Sequence, residues 1–359
     1  MSKDGAGSGA KRLVFKTKEE KTVRLPKQGG MPESVHIFDD ESILAVNAAL
    51  GAQRPLLVRG EPGTGKSQLA RAAAAKLGRS LVQLSVDSRT ESQDLLWSVD
   101  SVARLAEAQV MGALIGMENV LLDDKGAPEK PKTTQDRVRE QMNVLNFVRP
   151  GVLWWAFDWK SAEEQAKQVK VQPPETPEGW SPADGVVVLI DEIDKADASV
   201  PNGLLDAFGH GRFDVPGRTK PVSKDEPSTE PPVKEKSPEP LVIITTNEER
   251  SLPDAFLRRC LVLHLGLPDN EIQLTETLVT RGKAHFPSCA DAVLTKAASL
   301  IVGDRKKCRD AGIAAPGLAE YLDLLRAVTN QPDTNAQIQE NLLDAVAPFT
   351  FRKHPESKA

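Results

Sequence analysis

The stretch Pro55–Leu77 decides the fold. It reads Pro55-Leu-Leu-Val58, then Gly60-Glu-Pro-Gly-Thr-Gly-Lys-Ser67, then Gln68-Leu-Ala-Arg-Ala-Ala-Ala-Ala-Lys-Leu77, with Gly78 as a stop. A short, continuously apolar run reads as a buried strand, and the alanine-rich segment closed by glycine reads as a helix. Between them sits G-x-x-x-x-G-K-S, in the strand-to-helix setting that pattern needs. Gly60, Gly63 and Gly65 let the backbone wrap closely round phosphates, and Glu61, Pro62 and Thr64 complete the loop. Its N–H groups and the helix N-terminus supply positive potential. Lys66 places a point charge on the β- and γ-phosphates, and Ser67 offers an oxygen to Mg²⁺.

Working outward, four more apolar runs carry the same signature: Leu81–Val86, Val186–Ile190, Leu241–Ile244 and Leu261–Leu265. Such runs are central strands of a parallel sheet covered on both faces. Helical patterns fall between several of them, which indicates a three-layer α/β domain on a five-stranded sheet. Val186-Val-Val-Leu-Ile-Asp-Glu192 ends in two acids, the Walker B pattern. Asp191 is expected to hold Mg²⁺ through water, and Glu192 to polarise the attacking water. Asp194 and Asp197 read as surface residues of the following helix. Leu241-Val-Ile-Ile-Thr-Thr-Asn247 places Asn247 beside the acids, to orient the same water. Ser85 or Asp87, at the end of the second strand, is a weaker candidate for coupling partner binding to Glu192. Leu252-Pro-Asp-Ala-Phe-Leu-Arg-Arg259 precedes the last strand. Arg258 and Arg259 read either as a solvated face or as a guanidinium finger to the γ-phosphate of a neighbouring subunit. Such a finger is worth roughly 10³–10⁵ in rate.

Composition removes most other classes. A chain of 359 residues suggests about two domains and buries a core without staples. Apolar residues make up 40% and charged residues 27%, as in soluble globular proteins. Cys260, Cys289 and Cys308 are too few and too far apart for a disulfide framework or a metal site, so reduced cytosolic thiols are expected. No run reaches the 18 or so apolar residues of a membrane helix, and the polar start lacks a signal-peptide core. The net charge of −5 divides unevenly: residues 1–30 hold eight Lys/Arg against three acids, +5, which leaves −10 on residues 31–359. A basic arm can touch nucleic acid or an acidic partner, whereas a body at −10 argues against a large nucleic-acid footprint.

The expected organisation is a disordered basic arm over 1–30, an α/β nucleotide-binding domain over 31–266, an all-α domain over 267–351 and a tail over 352–359. Helical spacing over 270–284, 290–303, 317–329 and 335–347 gives the second domain four helices. An insert of about 97–180 carries amphipathic segments near 101–121 and 134–148. It also holds all five tryptophans, Trp97, Trp154, Trp155, Trp159 and Trp180, read as a satellite core rather than a contact surface. Residues 217–240 hold six prolines and ten charges, the composition of a disordered loop. His36 reads as a packing or surface residue, and His210 and His264 have no partners that argue for a metal.

This succession of motifs resembles the AAA+ ATPases, and more narrowly the MoxR group. The likeness rests on Gly60–Lys66 as G-x-P-G-T-G-K, Asp191-Glu-Ile-Asp-Lys-Ala196 as D-E-I-x-x-A, and Leu252–Cys260 as L-P-x-A-x-x-x-R-[FC], which puts the finger on Arg259 with Arg258 adjacent. Phe147-Val-Arg-Pro-Gly-Val-Leu153 is similar to the piece that lies in the group's helix-2 insert, a hairpin projecting toward a ring pore. The group's S-x-R nucleotide sensor falls on Ala315-Pro-Gly317, where no arginine stands. Arg326 lies downstream, and Arg305, Lys306, Lys307 and Arg309 lie upstream. The resemblance implies ATP and Mg²⁺ as cofactors, hydrolysis between subunits of a hexameric ring, a helical lid, and chaperone-like remodelling of a protein client, with a von Willebrand A-domain protein as a candidate partner. A DNA-associated motor and a nucleotide-gated scaffold of low turnover are the alternatives.

Overall fold

The computed structural model describes residues 21–27, 32–121, 134–224, 238–313, 315–331 and 335–351. In chain order its strands are β1 (Thr22–Leu25), β2 (Ser34–Ile37), β3 (Leu56–Arg59), β4 (Ser80–Ser85), β5 (Trp97–Val99), β6 (Val148–Pro150), β7 (Val186–Asp191), β8 (Arg212–Phe213), β9 (Val222–Ser223), β10 (Leu241–Thr246) and β11 (Leu261–His264). The helices are α1 (Asp40–Ala52), α2 (Lys66–Leu77), α3 (Ser101–Leu121), α4 (Thr134–Gln141), α5 (Val152–Phe157), α6 (Trp159–Gln168), α7 (Ser199–His210), α8 (Asp254–Leu257), α9 (Glu271–His285), α10 (Asp291–Asp310), α11 (Leu318–Thr329) and α12 (Ala336–Phe351).

The five apolar runs all become strands, each shifted by no more than two residues at either end. They form one five-stranded sheet in the order β11-β3-β10-β7-β4. The pairs β3·β10, β3·β11 and β4·β7 run parallel. Leu56–Val58, Val186–Ile190 and all of β10 are buried, which is why these runs carry no polar alternation. Two compact units divide the molecule. One comprises the described residues up to Leu77, Ile243–Ser251, and those from Cys260 onward; the other comprises Gly78–Val242 and Leu252–Arg259.

In the first unit, β1 pairs antiparallel with β2, Val23 facing His36 and Leu25 facing Ser34. The expectation of an unstructured arm over 1–30 is corrected here for residues 21–27; residues 1–20 and 28–30 lie outside the described residues. Four residues with one buried side chain, Leu25, are too few to show a period. Tertiary contacts hold them: the buried Arg71 of α2 donates to Pro26 O at 2.9 Å. The four C-terminal helices begin within a residue of where their spacing places them, and α10 runs to Asp310, seven residues beyond its expected end. Asn270 caps α9, its Oδ1 accepting from the N–H of Ile272 and Gln273. Leu274, Leu278, Val293, Leu294, Ile301, Tyr321, Leu325 and Leu343 form their common core. The tail over 352–359 lies outside the described residues.

In the second unit, the tryptophans do build a satellite core. Trp154, Trp155 and Trp159 are buried. Trp159 stacks edge-on between Trp155 and Trp180, with centroids 4.9 and 4.5 Å away. Contacts of this kind add about 0.5–1.5 kcal/mol each beyond area burial. Each indole N–H of Trp97, Trp154 and Trp180 finds an acceptor: Asp214 O, Ser161 Oγ and Gly185 O. The amphipathic segment 134–148 divides into α4, a short 3₁₀ turn over Val144–Phe147, and the start of β6. β6 then pairs with β5, Trp97 facing Pro150; Phe147, Val148, Val152 and Leu153 are buried, while Arg149 between them is exposed. The loop 217–240 also departs from expectation at its start. Val222, one of its two apolar residues, is fully buried in β9 opposite Phe213. Lys224 pairs with Glu239 at 3.0 Å. Residues 225–237 lie outside the described residues. Asp194, expected on a surface, is buried in the turn after β7, while Asp197 is exposed and accepts from Ser199 N–H at the start of α7.

Candidate functional site

The phosphate loop belongs to the first unit. It leaves β3 at Gly60 and enters α2 at Lys66. Gly60, Gly63 and Gly65 all have positive φ, at 151°, 77° and 96°. At Gly63 the requirement is double. A side chain would be strained at that φ, and a Cβ would lie 2.9 Å from Ala319 Cβ on α11. Thr64 and Lys66 are buried. Thr64 Oγ1 donates to Glu61 O at 2.9 Å, and Lys66 Nζ donates to Gly60 O at 2.8 Å and Glu61 O at 2.9 Å. The ammonium is thus held inside the curve of the loop. Ser67 follows on the first turn of α2.

Two further groups stand beside this loop in the same unit. Asn247 follows β10, whose Thr246 is in register with Arg59, the residue before Gly60. Arg59 pairs with Glu248 at 3.3 Å, and Glu248 N–H donates to Thr246 Oγ1 at 3.0 Å, which shapes the turn that carries Asn247. The second group is Arg305 of α10. It donates through Nη2 to Glu61 Oε2 at 3.0 Å and through Nη1 to Pro316 O at 2.7 Å. Of the basic residues near the missing sensor, Lys306 and Lys307 are exposed. Arg309 pairs with Asp269 and Arg326 with Asp323. Distance along the chain does not rank these five, and among the described residues it is Arg305 whose guanidinium is seen to meet the loop.

The acids belong to the second unit. Asp191 ends β7 in register with Ser85 of β4, and Val86 N–H donates to Asp191 O at 2.9 Å. Glu192 follows in the left-handed region, at φ 59° and ψ 50°. That conformation is uncommon for a side-chain-bearing residue and concentrates at functional turns. Its carboxylate pairs with Lys195, one turn on. Ser85 and Asp87 are exposed. Asp87 is taken up by its own turn, accepting from Arg89 N–H at 2.8 Å and Thr90 Oγ1 at 3.0 Å. The Arg89 N–H and the Thr90 hydroxyl hold its carboxyl below the usual range. Arg258 and Arg259 are both exposed after α8, and Arg259 Nη1 donates to Leu205 O of α7 at 2.8 Å.

In the first unit, a cradle of backbone N–H groups with an ammonium suits a polyphosphate. The Ser67 hydroxyl of the first unit and the Asp191 carboxylate of the second are each an oxygen donor of the kind a hard divalent cation takes. The model of the AAA domain (dynein-related subfamily) matches residues 55–260, more than half of the chain, from the strand before the phosphate loop to the residue after Arg259. The chain belongs to this AAA family. Midasin of Giardia intestinalis is 48% identical over 50 residues, 14% of this chain and 1% of that protein, so the chain spans a very small part of that relative. Among solved structures, a P216G mutant of Thermotoga maritima RuvB aligns over 86% of this chain and 68% of its own, at 14% identity and a TM-score of 0.40. The Thermotoga maritima RuvB Holliday junction branch migration motor aligns over 85% and 67%, at 16% identity and a TM-score of 0.39. The family match agrees with the AAA+ reading of the motifs; it does not reach the narrower MoxR assignment. Within the AAA domain, no helix among the described residues is long and apolar enough to cross a membrane. No group of three or more His, Cys, Asp or Glu among them is placed to hold a metal.

Proposed function

We propose that this AAA domain is a Mg²⁺-dependent ATPase of MoxR-like type, acting in a hexameric ring to remodel a protein client. The single observation that carries the reading is the phosphate loop itself: strand, three glycines at positive φ, and a buried lysine opening a helix. Lys66 and the loop N–H groups bind the β- and γ-phosphates. Ser67 and Asp191 would hold Mg²⁺, which neutralises phosphate charge when bound. Glu192 polarises the attacking water and Asn247 orients it. Arg259, with Arg258 adjacent, supplies a guanidinium to the γ-phosphate of the neighbouring subunit. The C-terminal helices act as a lid that follows nucleotide state, and a von Willebrand A-domain protein is a candidate partner.

Phosphate release and nucleotide binding test the reading together. Lys66→Ala is expected to lose binding, and Glu192→Gln to keep binding while turnover falls by about 10²-fold or more. Normal turnover in Glu192→Gln removes its assigned role. Salt-sensitive stimulation of turnover by DNA transfers the proposal to a nucleic-acid motor. Absence of turnover in the unmodified protein, with binding intact, leaves a nucleotide-gated scaffold.

A further inference from the structure

The Glu61–Arg305 pair joins two residues 244 positions apart in the chain, one in the phosphate loop and one in the C-terminal helices. Its two ends differ sharply in exposure: the Arg305 side chain is 4% exposed and that of Glu61 is 54% exposed. A buried guanidinium needs an anion and acceptors for its five donors. Here Nη1 takes Pro316 O and Nη2 takes Glu61 Oε2, while Nε is buried with no partner. The carboxylate is therefore the exchangeable partner. Released, it is hydrated in place, while the cation stays buried and still requires negative charge.

The same residue also occupies the other cation of the loop. Glu61 O accepts from Lys66 Nζ and from Thr64 Oγ1. Its backbone carbonyl thus holds Lys66 while its carboxylate holds Arg305, so one residue meets both charges. The loop apex is packed on the helices as well. A Cβ at Gly317, the N-cap of α11, would lie 3.3 Å from Pro62 O, and one at Gly63 would meet Ala319. Arg305 reaches this lead-in directly through Pro316 O. One guanidinium therefore touches the loop and the start of α11.

We propose that the Glu61–Arg305 pair is a phosphate-responsive latch, in which the Glu61 carboxylate competes with a bound polyphosphate for the Arg305 guanidinium and thereby ties the position of α10 and α11 to the occupancy of the loop. The inference rests on the nucleotide reading and adds its regulation. Arg305 is a positioning residue, and Glu61 sets how tightly a triphosphate is held.

The test is titration of the full chain with a fluorescent ATP analogue, read as the ratio of its affinity to that of adenosine, which lacks the phosphates. Glu61→Gln removes the competing charge and is expected to raise that ratio at least about fivefold, in the usual range of coupling between sites. Arg305→Met is expected to lower it by about tenfold or more, and the double variant to behave as Arg305→Met alone, because the competition needs the guanidinium. Should Arg305→Met fail to fold, Arg305→Lys, which keeps the charge without the fork, is expected to lie between the two. A ratio in folded Glu61→Gln equal to or below that of the unmodified protein overturns the latch, since a merely structural pair gives no tightening. Failure of the unmodified protein to bind the analogue overturns the nucleotide reading itself, and is seen before any variant is compared.

Discussion

His36 on β2 is buried edge-on against Phe38, with ring centroids 4.7 Å apart, and its Nε2 has no hydrogen-bond partner. Burial pushes it down to about 3, with the positive charges of Arg281 and His285 adding to the effect against Asp39. His285 is lowered in the same direction, again mainly by burial. An unfolded chain takes up these protons near pH 6.5 and the folded chain does not. Stability from His36 is therefore complete above that value and is lost as pH falls from about 6.5 toward about 3, by up to about 1.4 kcal/mol per pH unit. Thermal melts between pH 7.5 and 5 are expected to show this slope, and His36→Gln to flatten it. Equal slopes in the two proteins would mean that His36 is not a neutral group in the folded state. No motif marked this residue. A histidine inside Ser34–Ile37 carries no signal until Phe38 and α9 are packed against it.

Among the elements, the insert depends on a close approach that a helical or strand period does not report. Gly151 caps α5 and donates its N–H to Leu96 O at 2.9 Å. Its φ of −83° suits any residue, but a Cβ there would lie 2.6 Å from Leu95 C and O and from Asp94 O. Gly151→Ala is expected to destabilise by about 1–3 kcal/mol through overpacking, with its melting loss read on the isolated full chain. A neutral substitution would show that the β5–β6 pair yields more easily than backbone normally does. The five sheet strands were legible as continuous apolar runs and the four C-terminal helices by their own helical period. β1, β2, β5, β6, β8 and β9, with two to four residues each, are defined only by their partners, and so were not legible. The motif residues were legible for a related reason. Gly60–Ser67 and Asp191-Glu192 are contiguous, whereas Glu61–Arg305 and Glu192–Lys195 pair side chains whose meeting depends on the folded chain. The left-handed turn at Glu192 likewise has no sequence mark, since no glycine stands there.

At the scale of the whole molecule, the proposed chemistry is divided between copies of the chain. Arg259 is exposed at the end of α8, and its bond to Leu205 O seats its guanidinium on α7 in its own subunit. In the proposed ring it serves a neighbour's phosphate across a head-to-tail interface, the kind that closes into rings. Arg259→Ala is then expected to abolish turnover while leaving nucleotide binding within about twofold, because the lost donor acts on charge that develops during the reaction. Lys66→Ala subunits are inactive for the opposite reason: they bind no nucleotide but still offer Arg259. Mixed one to one and allowed to exchange, the two inactive proteins are expected to regain activity at about one quarter of the interfaces, where an intact Lys66 meets a neighbour's intact Arg259. Activity should rise and fall with the mixing ratio, peaking near equality. A flat line at every ratio, with mixed rings demonstrated by mass, would place Arg259 in its own subunit's chemistry or outside the reaction altogether.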